Sequence, residues 1–217
     1  MISAREALER LQEGNRRFVS GARNSDTLTS QTRRSELAAG QEPFAIILGC
    51  SDSRVPAELV FDQGLGDLFV IRVAGNIVAS SQVGSVEFAA ARYATRLVVV
   101  LGHSQCGAVR ATLEELRRPG EPPSRNLRSI VDRIRPSVEA LSITHASRDL
   151  DGLMDEAVRA NVRTAVSQLR HGSEIIERMS AQDGLLVVGA EYSLETGVVD
   201  VFDGAEPPDA DGTALAR

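Results

Sequence analysis

The sequence predicts an α/β fold: a mainly parallel central sheet of four strands with an antiparallel edge strand, helices on both faces and an N-terminal helical arm. Three observations carry this. Short β-branched and aliphatic runs, among them Phe44–Leu48, Leu97–Leu101 and Leu185–Ala190, lack the alternation of a one-sided strand and so suit strands covered on both faces. Stretches of helical periodicity separate them, as parallel crossovers require. The last run, Val198–Phe202, follows the tight turn Glu195–Gly197, which makes it antiparallel to its predecessor.

Taken in order, residues 2–19 read as an amphipathic helix, with Ile2, Ala7, Leu8, Leu11 and Phe18 on one stripe. The polar stretch 15–29 around Gly21 reads as a connecting loop that overlaps the end of that helix. Thr32–Ala39 forms a short helix stopped by Gly40, and Pro43 introduces the first strand. Pro56 opens a helix to Asp62, where its missing amide proton costs nothing. Asp67–Val73 is the second strand. Ser80–Tyr93 is a helix of small residues, suited to close packing in the core or, second, at a subunit interface. The third strand leads into a helix over Gly107–Arg118, and Pro119–Pro123 is a loop. Helices over 127–143 and 154–179 precede the last two strands. The chain reads as one domain over 1–203, with residues 2–40 as the helical arm and 204–217 as a frayed tail.

A net charge of −6 and a pI near 5.2 argue against a non-specific nucleic-acid surface. No stretch reaches the roughly 20 apolar residues of a membrane span. The N-terminus lacks the apolar core of a signal peptide, which implies a cytoplasmic protein. The two cysteines, Cys50 and Cys106, are then reduced, and the plain alternative is a pair of buried core thiols.

Their neighbours favour chemistry. Cys50 follows the first strand in Cys50-Ser-Asp-Ser-Arg54; His103 and Cys106 follow the third in Gly102-His-Ser-Gln-Cys-Gly107. In open α/β sheets, function gathers beyond the carboxyl ends of the strands. Two thiolates and an imidazole make three-quarters of a tetrahedral zinc shell and leave a fourth position for water. Two thiolates neutralise the dication, so the site needs help in acidifying that water. Asp52 can accept the proton, and Arg54 can clamp Asp52 in a charge-assisted fork. The alternative is an Asp–Arg pair that only fastens strand to helix. Of the remaining histidines, His171 fits a solvated helix end and His145 lies in a loop.

These motifs, with Arg72-Val-Ala-Gly-Asn76, resemble those of the β-class carbonic anhydrases, and the likeness runs from about Leu8 to Val201. The resemblance implies that Cys50, His103 and Cys106 bind one Zn²⁺ per subunit and that Asp52 and Arg54 form the dyad beside it. It implies reversible hydration of carbon dioxide to bicarbonate by a zinc-bound hydroxide. Gln41 and Phe69 stand where one variety of the family lines its substrate pocket, and Val55 adds an apolar wall. Phe88 stands where plant-type members carry a tyrosine contributed by the neighbouring subunit, so the hydroxyl is absent there. The other variety has a tryptophan three residues before the first cysteine that helps hold an inhibitory bicarbonate; here that residue is Ile47. The resemblance further implies a homodimer or tetramer, sites near the subunit boundary and an N-terminal helix packed across the partner. Three rivals remain: a hydrolase of carbon disulfide or carbonyl sulfide on the same scaffold, a non-catalytic zinc protein, and a thiol redox module, the last weakened by the absence of Cys-x-x-Cys.

Overall fold

The computed structural model describes residues 2–22, 30–118 and 124–204. Eight α-helices occur among them: α1 Ala4–Ser20, α2 Gln31–Leu37, α3 Ala57–Val60, α4 Ser80–Arg92, α5 Gly107–Arg117, α6 Arg125–Thr144, α7 Met154–His171 and α8 Glu174–Gln182. Five strands, β1 Ala45–Gly49, β2 Leu68–Arg72, β3 Leu97–His103, β4 Leu186–Tyr192 and β5 Val199–Asp203, form one sheet in the order β2-β1-β3-β4-β5. All pairs are parallel except β4 with β5. The predicted architecture is therefore the observed one. The loop predicted at Pro119–Pro123 and the tail beyond Gly204 lie outside the described residues.

The unalternating strands are apolar because both faces are covered. Ala45, Ile47, Leu97, Val99, Leu101, Val188 and Ala190 face α1 and α3, whereas Ile46, Leu48, Val98, Val100 and Val187 face α4, α7 and α8. A third cluster closes the carboxyl end of the sheet, where Val109 and Leu113 of α5, Ile134 and Val138 of α6, and Ala157 and Val158 of α7 enclose both cysteines.

Several boundaries differ from the sequence reading. Asn15–Ser20 is helical, not a loop: Asn15 is buried, donates to the Val60 and Gly197 carbonyls and accepts from Val199 N–H, so it ties α1 to the sheet. Ser3 and Glu6 form a capping box at the start of α1, and Gly21 ends it at φ 75°. Pro56 caps the short α3 from outside its first turn. The single helix predicted over 154–179 breaks at Gly172, and Ser173 caps α8 through Ile176 N–H. The apolar stripe of α1 (Ala7, Leu8, Leu11) packs on the sheet of its own chain.

Candidate metal centre

The connection from β1 leads out to β2 on one side and β3 lies on the other, so the crevice at the carboxyl ends of β1 and β3 is the topological switch point. Cys50 follows β1 directly, and His103 is the last residue of β3. Ser104 and Gln105 then turn the chain, with Gln105 at φ 56°, to set Cys106 as the N-cap of α5. One ligand atom from each of Cys50, His103 and Cys106 lies within 4.8 Å of the others, all three residues buried. A tetrahedral zinc with bonds of about 2.0–2.3 Å wants its donors about 3.5–3.8 Å apart, so this spacing suits one ion.

The imidazole supplies the sharpest evidence. His103 is 0% exposed, and its Nδ1 lies 2.9 Å from the Ser104 carbonyl, which fixes that nitrogen as the N–H. Nε2 is then a lone pair, buried and without a hydrogen-bond partner. A bare lone pair facing two sulfurs is costly unless something fills the space between them. Zinc fits that donor set.

The sulfurs are poised for it. The Cys50 thiol is pulled down, chiefly by its hydrogen bond with Cys106 and against burial, with His103 and the Gly75 and Asp52 amides assisting. Cys106 is pushed far up by the same bond and by burial. The two thiols share a hydrogen bond and titrate as a pair, and a bound cation would displace their protons. Burial opposes a charge on His103, but the Cys50 sulfur, the Ser104 carbonyl and the Asp52 carboxylate outweigh it and raise the ring's affinity for a proton.

Asp52 and Arg54 meet as predicted. Arg54 Nε donates to Oδ1 at 2.9 Å, Nη2 to Oδ2 at 2.8 Å, and the Arg54 amide to Oδ1 at 3.0 Å. This fork holds the carboxyl well below the usual carboxylate range. Asp52 Oδ2 also lies 3.8 Å from the bare His103 Nε2, so the carboxylate borders the space enclosed by the three donors.

The remaining sequence candidates go elsewhere. Phe69 is paired with Ile46, three residues back along β2 from the Gly49–Arg72 pair and so about 10 Å from the strand ends that bear Cys50 and His103. It forms an aromatic cluster with Phe88 (6.2 Å between centroids) and Tyr93 (6.1 Å), and Gln41 Nε2 donates to the Tyr93 hydroxyl at 2.9 Å. Phe88 is 53% exposed. Gln41, Phe69 and Phe88 therefore converge on one another and not on the centre of their own chain. Val55 is buried in the core on the α1 side, beside the Cys50–Arg54 loop.

Other contributors went unassigned in the sequence. Arg72 Nε donates to the Cys50 carbonyl at 3.0 Å and Nη2 to the Asp52 carbonyl at 2.6 Å, which folds the loop that carries both. Its place in Arg72–Asn76 was the available signal. Ser104 Oγ donates to Glu195 Oε2 at 3.0 Å and accepts from Leu194 N–H at 2.9 Å, which braces the His103 turn against the β4–β5 turn. Tyr93 carries a hydroxyl next to the Phe88 ring, 5.8 Å between centroids.

The carbonic anhydrase family model matches residues 45–199. Carbonic anhydrase 2 of Mycobacterium tuberculosis is 42% identical over 88% of this chain and 89% of its own length. The carbonic anhydrase of Mycolicibacterium smegmatis is 40% identical over 90% and 91%. Among solved structures, the β-carbonic anhydrase CafA of Aspergillus fumigatus superposes with a TM-score of 0.71 at 28% identity, over 80% of this chain and 82% of that one. The β-carbonic anhydrase CcaA gives 0.70 at 27%, over 94% and 92%. Fold, donor cluster and relatives agree, and the chain belongs to the β-class carbonic anhydrase family.

Proposed function

We propose that the protein catalyses the reversible hydration of carbon dioxide to bicarbonate and a proton, with one Zn²⁺ per subunit held by Cys50 Sγ, His103 Nε2 and Cys106 Sγ. The observation that carries this reading is the unpartnered His103 Nε2, buried among two sulfurs and 3.8 Å from a carboxylate already engaged by Arg54. When bound, Zn²⁺ supplies the Lewis acidity that makes water a nucleophile near neutral pH. The chain's own groups do the rest. Asp52 Oδ2 accepts a hydrogen bond from the attacking water and so turns a lone pair of its oxygen toward the substrate carbon. Arg54 keeps Asp52 ionised and holds both carboxylate oxygens, which opposes a swing of Asp52 into the shell as a fourth ligand.

Carbon dioxide is apolar, and an apolar wall suits it. Val55 lies beside the dyad of its own chain. In this reading the cluster of Gln41, Phe69 and Phe88 serves the centre of a partner subunit, so the working form is a homodimer or a tetramer. Gln41 spends one amide hydrogen on Tyr93 and keeps the other for a substrate oxygen as charge develops on it. No helix among the described residues is long and apolar enough to cross a membrane.

The test is stopped-flow hydration of CO₂ by zinc-loaded protein, run beside carbonyl sulfide and carbon disulfide. Fast CO₂ turnover that Asp52→Asn lowers strongly is the expected result. Negligible CO₂ turnover with hydrolysis of either sulfur analogue would reassign the substrate. Full activity in Asp52→Asn would remove the dyad from the mechanism.

A further inference from the structure

An amide is aimed at Cys50: Gly75 N–H donates to Sγ at 3.3 Å in the buried third cluster. Gly75 sits between β2 and α4 at φ 70°, ψ 20°, a left-handed conformation natural only to glycine. Its carbonyl is held as well, by Asn161 Nδ2 of α7 at 2.8 Å. Asn161 is 3% exposed on a stripe otherwise made of Ala157, Val158, Val162 and Ala165. A polar amide in such a stripe costs free energy unless it is hydrogen-bonded. Ser137 Oγ approaches Asn161 Oδ1 only at 3.4 Å and donates to the Ile134 carbonyl at 2.5 Å, so the well-formed bond of Asn161 is the one to Gly75.

We infer that Asn161 is a positioning residue for the metal centre: by holding the Gly75 carbonyl, it fixes the backbone conformation that aims the Gly75 N–H at Cys50 Sγ. An N–H···S bond draws charge from a thiolate and makes it a weaker donor to a cation. Where two thiolates already neutralise the dication, that withdrawal keeps the metal electrophilic. The inference rests on the zinc-site reading above and adds to it a device for tuning one of its ligands.

The experiment uses the full chain loaded with cobalt(II), as wild type, Asn161→Asp and Asn161→Leu. The aspartate keeps the shape and, when ionised, offers no donor; the leucine removes both polar ends. Both variants are expected to move the sulfur-to-cobalt charge-transfer band to longer wavelength. Reloaded with zinc, both should keep one ion per chain, with kcat for CO₂ hydration roughly fivefold to tenfold lower and KM little changed, as loss of one modest hydrogen bond implies. An unmoved band in a folded, fully loaded variant overturns the inference and leaves the metal centre standing. Absence of any thiolate charge transfer in cobalt-treated wild type overturns both. If neither variant folds, cadmium-113-loaded wild type decides by NMR. Scalar couplings from cadmium to the Gly75 amide proton, and from Asn161 Nδ2 to the Gly75 carbonyl carbon, are both expected; absence of either refutes the proposal.

Discussion

Replacing Gly75 with alanine perturbs a constrained backbone position beside Cys50. A Cβ there would stand 2.7 Å from Ile134 Cδ1 and 3.1 Å from Ala108 Cβ. The left-handed φ of 70° costs an alanine about 1–2 kcal/mol more than a glycine. Overpacking adds about 1–3 kcal/mol, because the Ile134 terminus must give way inside a filled cluster. The sum, about 2–5 kcal/mol, lowers Tm by roughly 4–20 °C in a domain of this size and leaves it folded. Urea unfolding of zinc-loaded and metal-free protein separates this from any loss of ion-linked stability. The companion change is Ile134→Val, which removes the clashing methyl. Alone it costs about 0.5–1.5 kcal/mol, but in the Gly75→Ala background it should restore about 1–2 kcal/mol. Costs that add to within about 0.5 kcal/mol would show that Ile134 is not what confines Gly75, and the reasoning from close approach would fail.

Cys50→Ser, Cys106→Ser or His103→Ala should each release zinc and abolish CO₂ hydration, read by metal analysis and stopped-flow assay; turnover in the metal-free variants would refute the ligand set. Arg54→Met should lower hydration roughly a hundredfold with zinc still at one per chain, since Asp52 loses the fork that aims it; zinc loss equal to that of the cysteine variants would make the pair structural. Burial raises the Glu191 carboxyl, and Arg159 at 2.8 Å only partly offsets this. A raised carboxyl favours the fold below its unfolded value and weakens it as pH rises through the folded one. Glu191→Gln should therefore raise Tm at pH 7.5 and lose that advantage by pH 4, and an equal gain at both pH values would contradict the assignment. Ile47 is fully buried against the α1 side of the sheet, where it cannot help hold an anion. The rate–pH profile should then keep its shape with added bicarbonate, and a bicarbonate-dependent collapse at low pH would count against this.

What the residues disclosed in advance follows from how local each signal is. β1 and β3 are dense in β-branched and aliphatic side chains because helices cover both faces, and such runs are legible without any knowledge of their neighbours. Cys50, His103 and Cys106 were legible as a set because each stands at or just past a strand end, and parallel pairing of β1 with β3 then brings the two ends together. Asn161 could be seen only as a polar residue on an apolar stripe; its partner is Gly75, 86 residues away, and no local pattern names it. The break before α8 had a signal that the helical period hid: the Gly172–Ser173 pair, a helix terminator followed by a cap. Gln41, Phe69 and Phe88 carry no local signal of their own beyond likeness to a family pocket. The single chain gathers them at a distance from Cys50, His103 and Cys106, as the proposed completion by a second subunit requires.

The most direct measurement is CO₂ hydration followed while metal-free protein is titrated with zinc, with metal content determined on the same samples. Activity rising in proportion to zinc and levelling at one ion per chain is the predicted result. Hydration without bound zinc, or a fully loaded protein that hydrates nothing, would contradict the account.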